Sequence, residues 1–203
     1  MQVNTCIGGC GIMYDETQLR IIDATMELII DKGYSGATSK TIAKLAGVNE
    51  STIFRRFDGK KDIVLAAMNL PKWNPGLSES DFNYHGNLTE DLISFSKVYM
   101  SKVTPQMVKV SIGLRTAELE GAAMPGIMKV PMVFKSVLLK YFEEMISKGK
   151  VKECDIESIS LQFISMNFGF VFLDASFGEK LIGVSKDEYI RNSVEVFVSG
   201  ISL

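Results

Sequence analysis

The chain has 203 residues, of which 46% are hydrophobic and 23% are charged. This is an ordinary globular composition, with enough apolar material for one sizeable domain or for a small domain joined to a larger one. The formal net charge of −2 excludes a generally basic protein that coats nucleic acid, and the single His excludes any site that needs two.

Residues 1–12 have no helical or strand period and contain three Gly, so we expect them to form a flexible leader. They do not resemble a signal peptide, because they lack Lys, Arg and a long apolar run, and Met13 is an alternative start. The odd number of Cys favours a reducing cytoplasm over secretion. Cys6 and Cys10 are interpreted as free thiols, since structural zinc sites have two close ligand pairs. We expect no metal and no cofactor.

Helical periodicity dominates the rest of the chain. In residues 16–31, for example, Ile22, Met26 and Ile29 recur at the spacing of one helix face. Gly33 can take the left-handed conformation that ends a helix. The pattern predicts helices, in chain order, at about 16–31, 39–46, 50–57, 60–70, 88–103, 105–124, 133–148, 155–177 and 186–199.

Polar residues and Pro mark the expected boundaries. Asn49 is a good N-cap for the helix that follows it, and Thr89 is a candidate cap for another. Pro125-Gly126 is expected to break the chain. Residues 71–87, with two Pro and two Gly, form either a linker or an ordered loop.

No segment alternates in the manner of a strand, so the chain is predicted to be all-α. We expect a small N-terminal unit of three to four helices over residues 13–62. A larger helical bundle is expected over residues 63–203.

The positive charge of the chain is concentrated in one segment. Residues 38–61 contain six Lys or Arg and two acidic residues, whereas residues 71–203 contain 14 basic and 16 acidic residues. A local basic patch on a mildly acidic protein favours duplex DNA as a partner.

The spacing within this segment strengthens that interpretation. The helix at 39–46 ends in Ala46-Gly47-Val48, and a short turn containing Gly joins the two helices of a helix-turn-helix. The helix that follows is short enough to lay its first turn in a major groove, and Glu50 suits the positive end of its dipole.

The segment also resembles the N-terminal signature of TetR-type transcriptional regulators. The order and spacing match over about residues 20–63. The matching residues are Arg20-Ile21-Ile22, Gly33-Tyr34, Thr38-Ser39, Ile42-Ala43, Ala46-Gly47-Val48, Thr52-Ile53-Phe54, Phe57 and Lys60. An all-α chain with a larger C-terminal bundle also fits this family. The resemblance implies a helix-turn-helix head on a body that binds a small-molecule effector and forms the dimer.

The apolar residues of the signature are interpreted as a small core. These residues are Ile42, Ala43, Leu45, Val48, Ile53 and Phe57. The DNA contacts that the resemblance implies involve the polar residues and Phe54 around the second helix. These candidates are Ser39, Lys40, Glu50, Ser51, Thr52, Phe54, Arg55, Arg56 and Lys60.

The candidates divide by chemistry. Thr52, Arg56 and Lys60 suit phosphate contacts through a hydroxyl, a guanidinium and an ammonium group. A second group of candidates suits base edges, because Arg pairs with guanine and Glu accepts a hydrogen bond from cytosine. This second group comprises Lys40, Glu50, Ser51 and Arg55.

Two positions depart from the family pattern. Phe54 stands where the family usually has a Tyr whose hydroxyl binds phosphate, so Phe54 can only pack on sugar or on the core. Arg56 stands near a common His position and keeps its charge at any pH.

The C-terminal part carries no sequence motif. The resemblance implies that the helices at about 155–177 and 186–199 pair with their copies in a homodimer that reads two half-sites of a palindromic operator. The apolar run from Ile156 to Phe177 is interrupted by polar residues, so we interpret it as a buried helix and expect no membrane span. A ligand pocket is expected within residues 88–150, where Met is abundant. Its candidate lining residues are Met100, Met107, Met124, Met128 and Phe134.

The function that these observations favour is a DNA-binding transcriptional regulator of the cytoplasm, a repressor that a small-molecule effector releases from its operator. One alternative is a ligand-binding helical protein without DNA binding. A helical enzyme is the weaker alternative, because the sequence contains no nucleophile–base pair, phosphate loop or metal motif.

Overall fold

The computed structural model describes residues 13–74, 76–117, 119 and 121–203. The predicted leader lies outside the described residues. Within them the chain forms nine α-helices and no β-strand, which confirms the all-α prediction. The helices are α1 (Glu16–Gly36), α2 (Ser39–Ala46), α3 (Glu50–Arg56), α4 (Lys60–Ala67), α5 (Leu88–Lys102), α6 (Pro105–Gly113), α7 (Met124–Ser147), α8 (Ile156–Phe177) and α9 (Lys186–Ile201).

Short polar side chains begin several of these helices. The Asp15 carboxylate accepts a hydrogen bond from the Gln18 backbone at 2.8 Å and so caps α1. Asp155 caps α8, and the hydrogen bond from the Ser158 hydroxyl lowers the pKa of this carboxyl group. For α5 the predicted cap is wrong: Asn87, and not Thr89, accepts from the Glu90 backbone.

Helix α1 extends beyond its predicted end. Gly33 has a φ of 71°, which interrupts the helical conformation as its position in the sequence predicts. The chain then resumes one more helical turn and buries Tyr34 before α1 ends at Gly36.

Helix α6 is shorter than predicted, because it ends at Gly113 and not near residue 124. A Cβ atom at Gly113 would lie 3.0 Å from Ile29 Cγ2 and 3.2 Å from the Ile29 carbonyl oxygen. The end of α6 therefore lies directly on α1, a long-range contact that the local apolar period does not encode.

Helix α7 is longer than predicted. Pro125 lies in its first turn, where a missing N–H costs nothing, so Pro125-Gly126 begins a helix and does not break the chain. Pro131 lies inside the same helix. The side chains that α7 buries, including Phe134, Leu138 and Tyr141, recur every three or four residues.

The buried side chains form two clusters. One, which we call the head core, contains residues of α1 to α4 together with Trp73, Val110 and Leu114. The other, the body core, is built from α5 and α7 to α9 with Val108 of α6. Helix α6 thus contributes to both cores, and the head core extends beyond residue 62.

The described residues between α4 and α5 form a loop that packs against both cores. Trp73 is buried in the head core, and its indole Nε1 donates to Asp23 Oδ1 at 2.8 Å. Leu77 and Phe82 of the same loop are buried in the body core. The loop therefore attaches to both parts of the protein.

Candidate nucleic-acid interface

Helices α2 and α3 meet at a tight turn. Thr38 and Thr41 form a reciprocal capping box at the start of α2. Gly47 ends α2 in the left-handed conformation, with φ 65° and ψ 39°, as residues with a Cβ rarely do. Ile42 and Ala43 of α2 and Ile53 of α3 pack into the head core, which fixes the angle between the two helices.

Four of the six predicted small-core residues are buried, and Val48 is partly buried against the head core. Leu45 is 51% exposed, so its assignment to the small core is wrong. The apolar character of Leu45 alone did not distinguish it from Ile42 and Ala46, which are buried.

The start of α3 is held by a different contact from the one expected. Asn49 occupies the N-cap position, but its side chain makes no capping hydrogen bond. Instead the Ser39 hydroxyl donates to Glu50 Oε1 and joins the first turns of α2 and α3. Ser39 and Glu50 thus have a structural partner in each other.

Six of the nine predicted DNA-contacting residues are exposed around the α2–α3 unit, and two of the six have side-chain partners. Phe54 is 60% exposed and so does not contribute to the core, which leaves its ring available for contact with a partner. Thr52, Ser39 and Lys60 are partly buried. Glu50 and Arg56 are exposed but have side-chain partners. The other exposed candidates are Lys40, Ser51, Phe54 and Arg55.

Arg56, at the end of α3, forms an ion pair with Asp15. The Arg56 guanidinium lies 2.7 Å from Asp15 Oδ2, and both side chains remain partly exposed. Because Asp15 also caps α1, this one carboxylate connects the start of α1 with the end of α3.

Lys60 is attached to the end of α1. Its ammonium group donates to the Tyr34 carbonyl oxygen at 2.7 Å and lies 3.8 Å from the centroid of the Tyr34 ring. Sequence reasoning missed both Asp15 and Tyr34 as partners. The capping motif at the start of α1 was a local signal for Asp15. Tyr34 lies 26 residues before Lys60, and no local pattern signals a contact over that distance.

The predicted ligand-pocket residues do not form one group. Met100 and Phe134 are buried in the body core, and Met107 packs against it. Met124 and Met128 are exposed on the first turns of α7. The structure therefore brings three of the five candidates to the body core and leaves two outside it.

Helices α8 and α9 carry a large exposed apolar surface. Met166 and Phe197 help to line a shallow groove of about 370 Å³ between the two helices. The segment Ile156–Lys180 is long and apolar enough to cross a membrane, although a third of its most apolar stretch is buried within the protein. The exposed apolar residues of this surface include Leu161, Phe168, Phe172, Leu173, Phe177 and Val196.

No group of three or more His, Cys, Asp or Glu side chains with metal-binding geometry occurs in the part of the chain that the structure describes. An excess of positive charge occurs instead in residues 38–61, which include the helix-turn-helix and contain six Lys or Arg against two acidic residues. What this arrangement offers chemically is a set of donors for phosphate oxygens and base edges.

Comparison with known proteins supports this description. Residues 21–67 match the sequence profile of the family described as "Bacterial regulatory proteins, tetR family". The chain is 28% identical over 188 residues to the uncharacterized HTH-type transcriptional regulator YvkB of Bacillus subtilis strain 168, covering 92% of this chain and 97% of YvkB. It is 23% identical over 175 residues to IcaR of Staphylococcus aureus strain Newman, a negative transcriptional regulator of the biofilm operon icaADBC, covering 83% of this chain and 89% of IcaR.

A solved structure extends the comparison to the whole fold. The transcriptional regulator FadR of Bacillus subtilis, in complex with stearoyl-CoA, superposes with a TM-score of 0.62 at 25% identity. The match covers 90% of this chain and 98% of FadR. The match at residues 21–67, the helix-turn-helix within it and the shared all-α architecture lead to one conclusion: residues 21–67 form a helix-turn-helix of the tetR family, and the chain as a whole is similar to HTH-type transcriptional regulators.

Proposed function

We propose that this regulator is a homodimeric repressor of the cytoplasm that binds a palindromic operator and leaves it when a small molecule binds to the body. The observation that carries the proposal is the helix-turn-helix itself: α3 is held at both ends, while its side chains Ser51, Phe54 and Arg55 remain exposed. A fixed helix with exposed polar residues has the form needed to enter a major groove.

The contacts proposed for seven of the nine candidate residues follow from their surroundings. Lys40, Ser51 and Arg55 are exposed and are assigned to base edges or neighbouring phosphates. Arg56 and Lys60 have internal partners, but a guanidinium has five N–H donors and an ammonium three, so both retain donors for phosphate. Glu50 keeps one carboxylate oxygen beyond its bond to Ser39, and Thr52 keeps its hydroxyl.

The exposed apolar surface of α8 and α9 supports the homodimer. A second copy would cover Phe168 and Phe172 by placing the same surface against its own, as a two-fold symmetric interface does. Such a dimer also accounts for the apolar character of α8 without a membrane. It would read two half-sites one helical turn apart, or a multiple of it.

The body is the natural place for the effector, because α6 joins the body core to the head core. Val108 packs in the body core and Val110 in the head core, so a shift of α6 would also move α1 and the rest of the head. FadR was solved with stearoyl-CoA, and IcaR is named a negative regulator. A ligand that favours a body conformation with wrongly spaced heads would release the operator.

Catalysis has no place in this proposal. Asp91, a buried carboxylate of the body core, already accepts hydrogen bonds from two backbone N–H groups and from the Tyr141 hydroxyl. Its role is to hold the loop before α5, and we expect no enzymatic activity.

The test is a titration of the purified protein onto the DNA upstream of its own gene at several salt concentrations, read by fluorescence anisotropy. We expect a specific complex whose affinity falls steeply with salt and exceeds that for scrambled DNA by at least about 1,000-fold. Equal affinity for both DNAs would contradict the operator assignment. Absence of binding to either would favour a ligand-binding protein without DNA binding.

A further inference from the structure

Helix α3 carries one large apolar side chain on its outer surface. Phe54 is 60% exposed, whereas the preceding Ile53 is buried in the head core. The other exposed residues of α3 are polar or charged. A partner that brings an apolar group to this ring removes apolar surface from water, which favours binding.

Phe54 lies on the same face of α3 as two residues proposed to approach base edges. Residues three and four apart are neighbours on a helix. Ser51 precedes Phe54 by three positions and Arg55 by four, so these three side chains are adjacent. All three are exposed, and Ile53 is buried on the other side of the helix. The ring is therefore directed to the same partner as the hydroxyl and the guanidinium.

Helix α3 cannot turn to bury this ring without losing its own attachments. The Ser39 hydroxyl donates to Glu50 at the start of α3, and Arg56 is paired with Asp15 at its end. Between them, Ile53 anchors the helix in the head core. The Phe54 ring therefore remains on the outer face when α3 meets its partner.

The major groove of duplex DNA offers one apolar group to such a ring, the C5 methyl of thymine. The other base edges present hydrogen-bond donors and acceptors, with which a phenyl ring cannot pair. Deoxyribose is also apolar, but it lies beside the phosphates at the rim of the groove. The neighbours of Phe54 on its own face are the candidates for base edges, and this favours the methyl group over the sugar.

We propose that Phe54 recognises a thymine in each operator half-site by packing its ring on the C5 methyl group. The proposal rests on the operator-binding regulator proposed above and specifies one position of its DNA sequence. Neighbouring side chains on a helix face are about 5–6 Å apart, and successive base pairs are about 3.4 Å apart. The thymine therefore lies within about two base pairs of the base that Arg55 contacts.

DNA in which uracil replaces thymine tests this contact, because uracil lacks only the C5 methyl group and still pairs with adenine. The region upstream of the gene is amplified once with dTTP and once with dUTP, and each product is titrated with the wild type at one salt concentration. We expect the uracil DNA to bind about fourfold more weakly for each half-site, or about 15-fold for both, since one buried methyl group is lost at each. Equal affinity for the two DNAs would overturn the proposal.

Phe54→Ala separates the ring from the other effects of the missing methyl groups. Uracil also changes the shape of the DNA, and that change acts on the wild type and on the variant alike. We expect the variant to bind thymine DNA at least about tenfold more weakly than the wild type and to bind both DNAs with affinities within about twofold of each other. A variant that keeps the wild-type preference for thymine DNA would overturn the proposal. An equal loss on both DNAs would also overturn it, by placing the ring on deoxyribose.

Two further variants control for apolar surface and for folding. Leu45→Ala removes an exposed apolar side chain of α2, 51% exposed, and should keep the preference for thymine DNA. Phe54→Leu retains an apolar side chain and should keep part of the preference. Because Phe54 is exposed, both of its variants should have the thermal midpoint of the wild type, so that a loss of binding is not a loss of folding.

The regulator and the thymine contact fail in different ways. A protein that forms no specific complex with either DNA contradicts both. A protein that forms a specific complex, but binds thymine and uracil DNA equally, leaves the regulator standing and removes the contact made by Phe54.

Discussion

At the scale of single residues, the side chains around α3 divide into those that hold the helix and those left for a partner. Arg55 is exposed, whereas its neighbour Arg56 is paired with Asp15. Lys60 and Lys61 differ in the same way, because Lys60 is attached to Tyr34 and Lys61 is exposed. Each such pair places the same chemistry in two environments, and this provides matched substitutions.

Arg55→Ala should weaken operator binding by about 1–3 kcal/mol and bind scrambled DNA with a smaller loss, because a base-edge contact carries sequence information. The measurement is anisotropy on both DNAs at one salt concentration. Lys44→Ala, an exposed cation of α2, is the control for charge alone. An equal loss on both DNAs would assign Arg55 to phosphate instead.

Lys60→Met should lower the free energy of unfolding by about 1 kcal/mol, since it removes both the hydrogen bond to the Tyr34 carbonyl and the contact of the ammonium with the ring. Denaturant unfolding measures this, with Lys61→Met as the control that should leave stability unchanged. We expect both variants to reduce the salt dependence of DNA binding. A Lys60→Met protein of unchanged stability would show that the Tyr34 contact contributes nothing.

At the scale of elements, α6 is the connection between the two cores. Its first residues pack in the body and its end lies on α1, where Gly113 allows the close approach to Ile29. A side chain at this position requires Ile29 or α6 to shift by a few tenths of an ångström.

Gly113→Ala should destabilise the protein by about 1–3 kcal/mol, because its Cβ would meet both a side chain and a backbone oxygen of Ile29. Trp73, buried in the same core, reports the change by its fluorescence in a denaturant titration. Gly200→Ala is the control: beyond its own stretch of helix, no described atom would lie within 4 Å of the added methyl group, so helix propensity should stabilise it by about 0.5–1 kcal/mol. A stabilised Gly113→Ala protein would mean that α6 moves freely on α1.

At the scale of the whole molecule, the exposed apolar surface of α8 and α9 requires a partner, and the proposed partner is a second copy. In a two-fold interface each substitution occurs twice. One substitution to a charged residue therefore places two charges in the interface and strongly weakens the dimer.

Phe172→Glu should raise the dimer dissociation constant by at least about 100-fold, because it buries a carboxylate against apolar side chains. Analytical ultracentrifugation measures the dimer, and operator affinity should fall with it. Met132→Glu charges an exposed apolar residue of α7 instead and should leave the dimer intact. A Phe172→Glu protein that remains fully dimeric would place the interface on another surface.

Much of the fold could be predicted because its signals are local. The apolar period located α2, α3, α8 and α9 to within a few residues, and Gly33 and Gly47 marked turns that need a positive φ. The errors at α6 and α7 have a common cause. Pro125 and Gly113 act as breaks or as helix residues according to what packs beside them, and that is a long-range property.

The sequence by itself determined the all-α class, the helix-turn-helix and the concentration of positive charge on it, because capping, turn chemistry and periodicity act between residues a few positions apart. Only the tertiary structure decided which cations are already engaged, since Asp15 and Tyr34 reach Arg56 and Lys60 across the head. It also decided that Trp73 and the end of α6 complete the head core, and that the ring of Phe54 lies exposed on α3. Burial and pairing depend on which distant helices meet, and no local pattern carries that information.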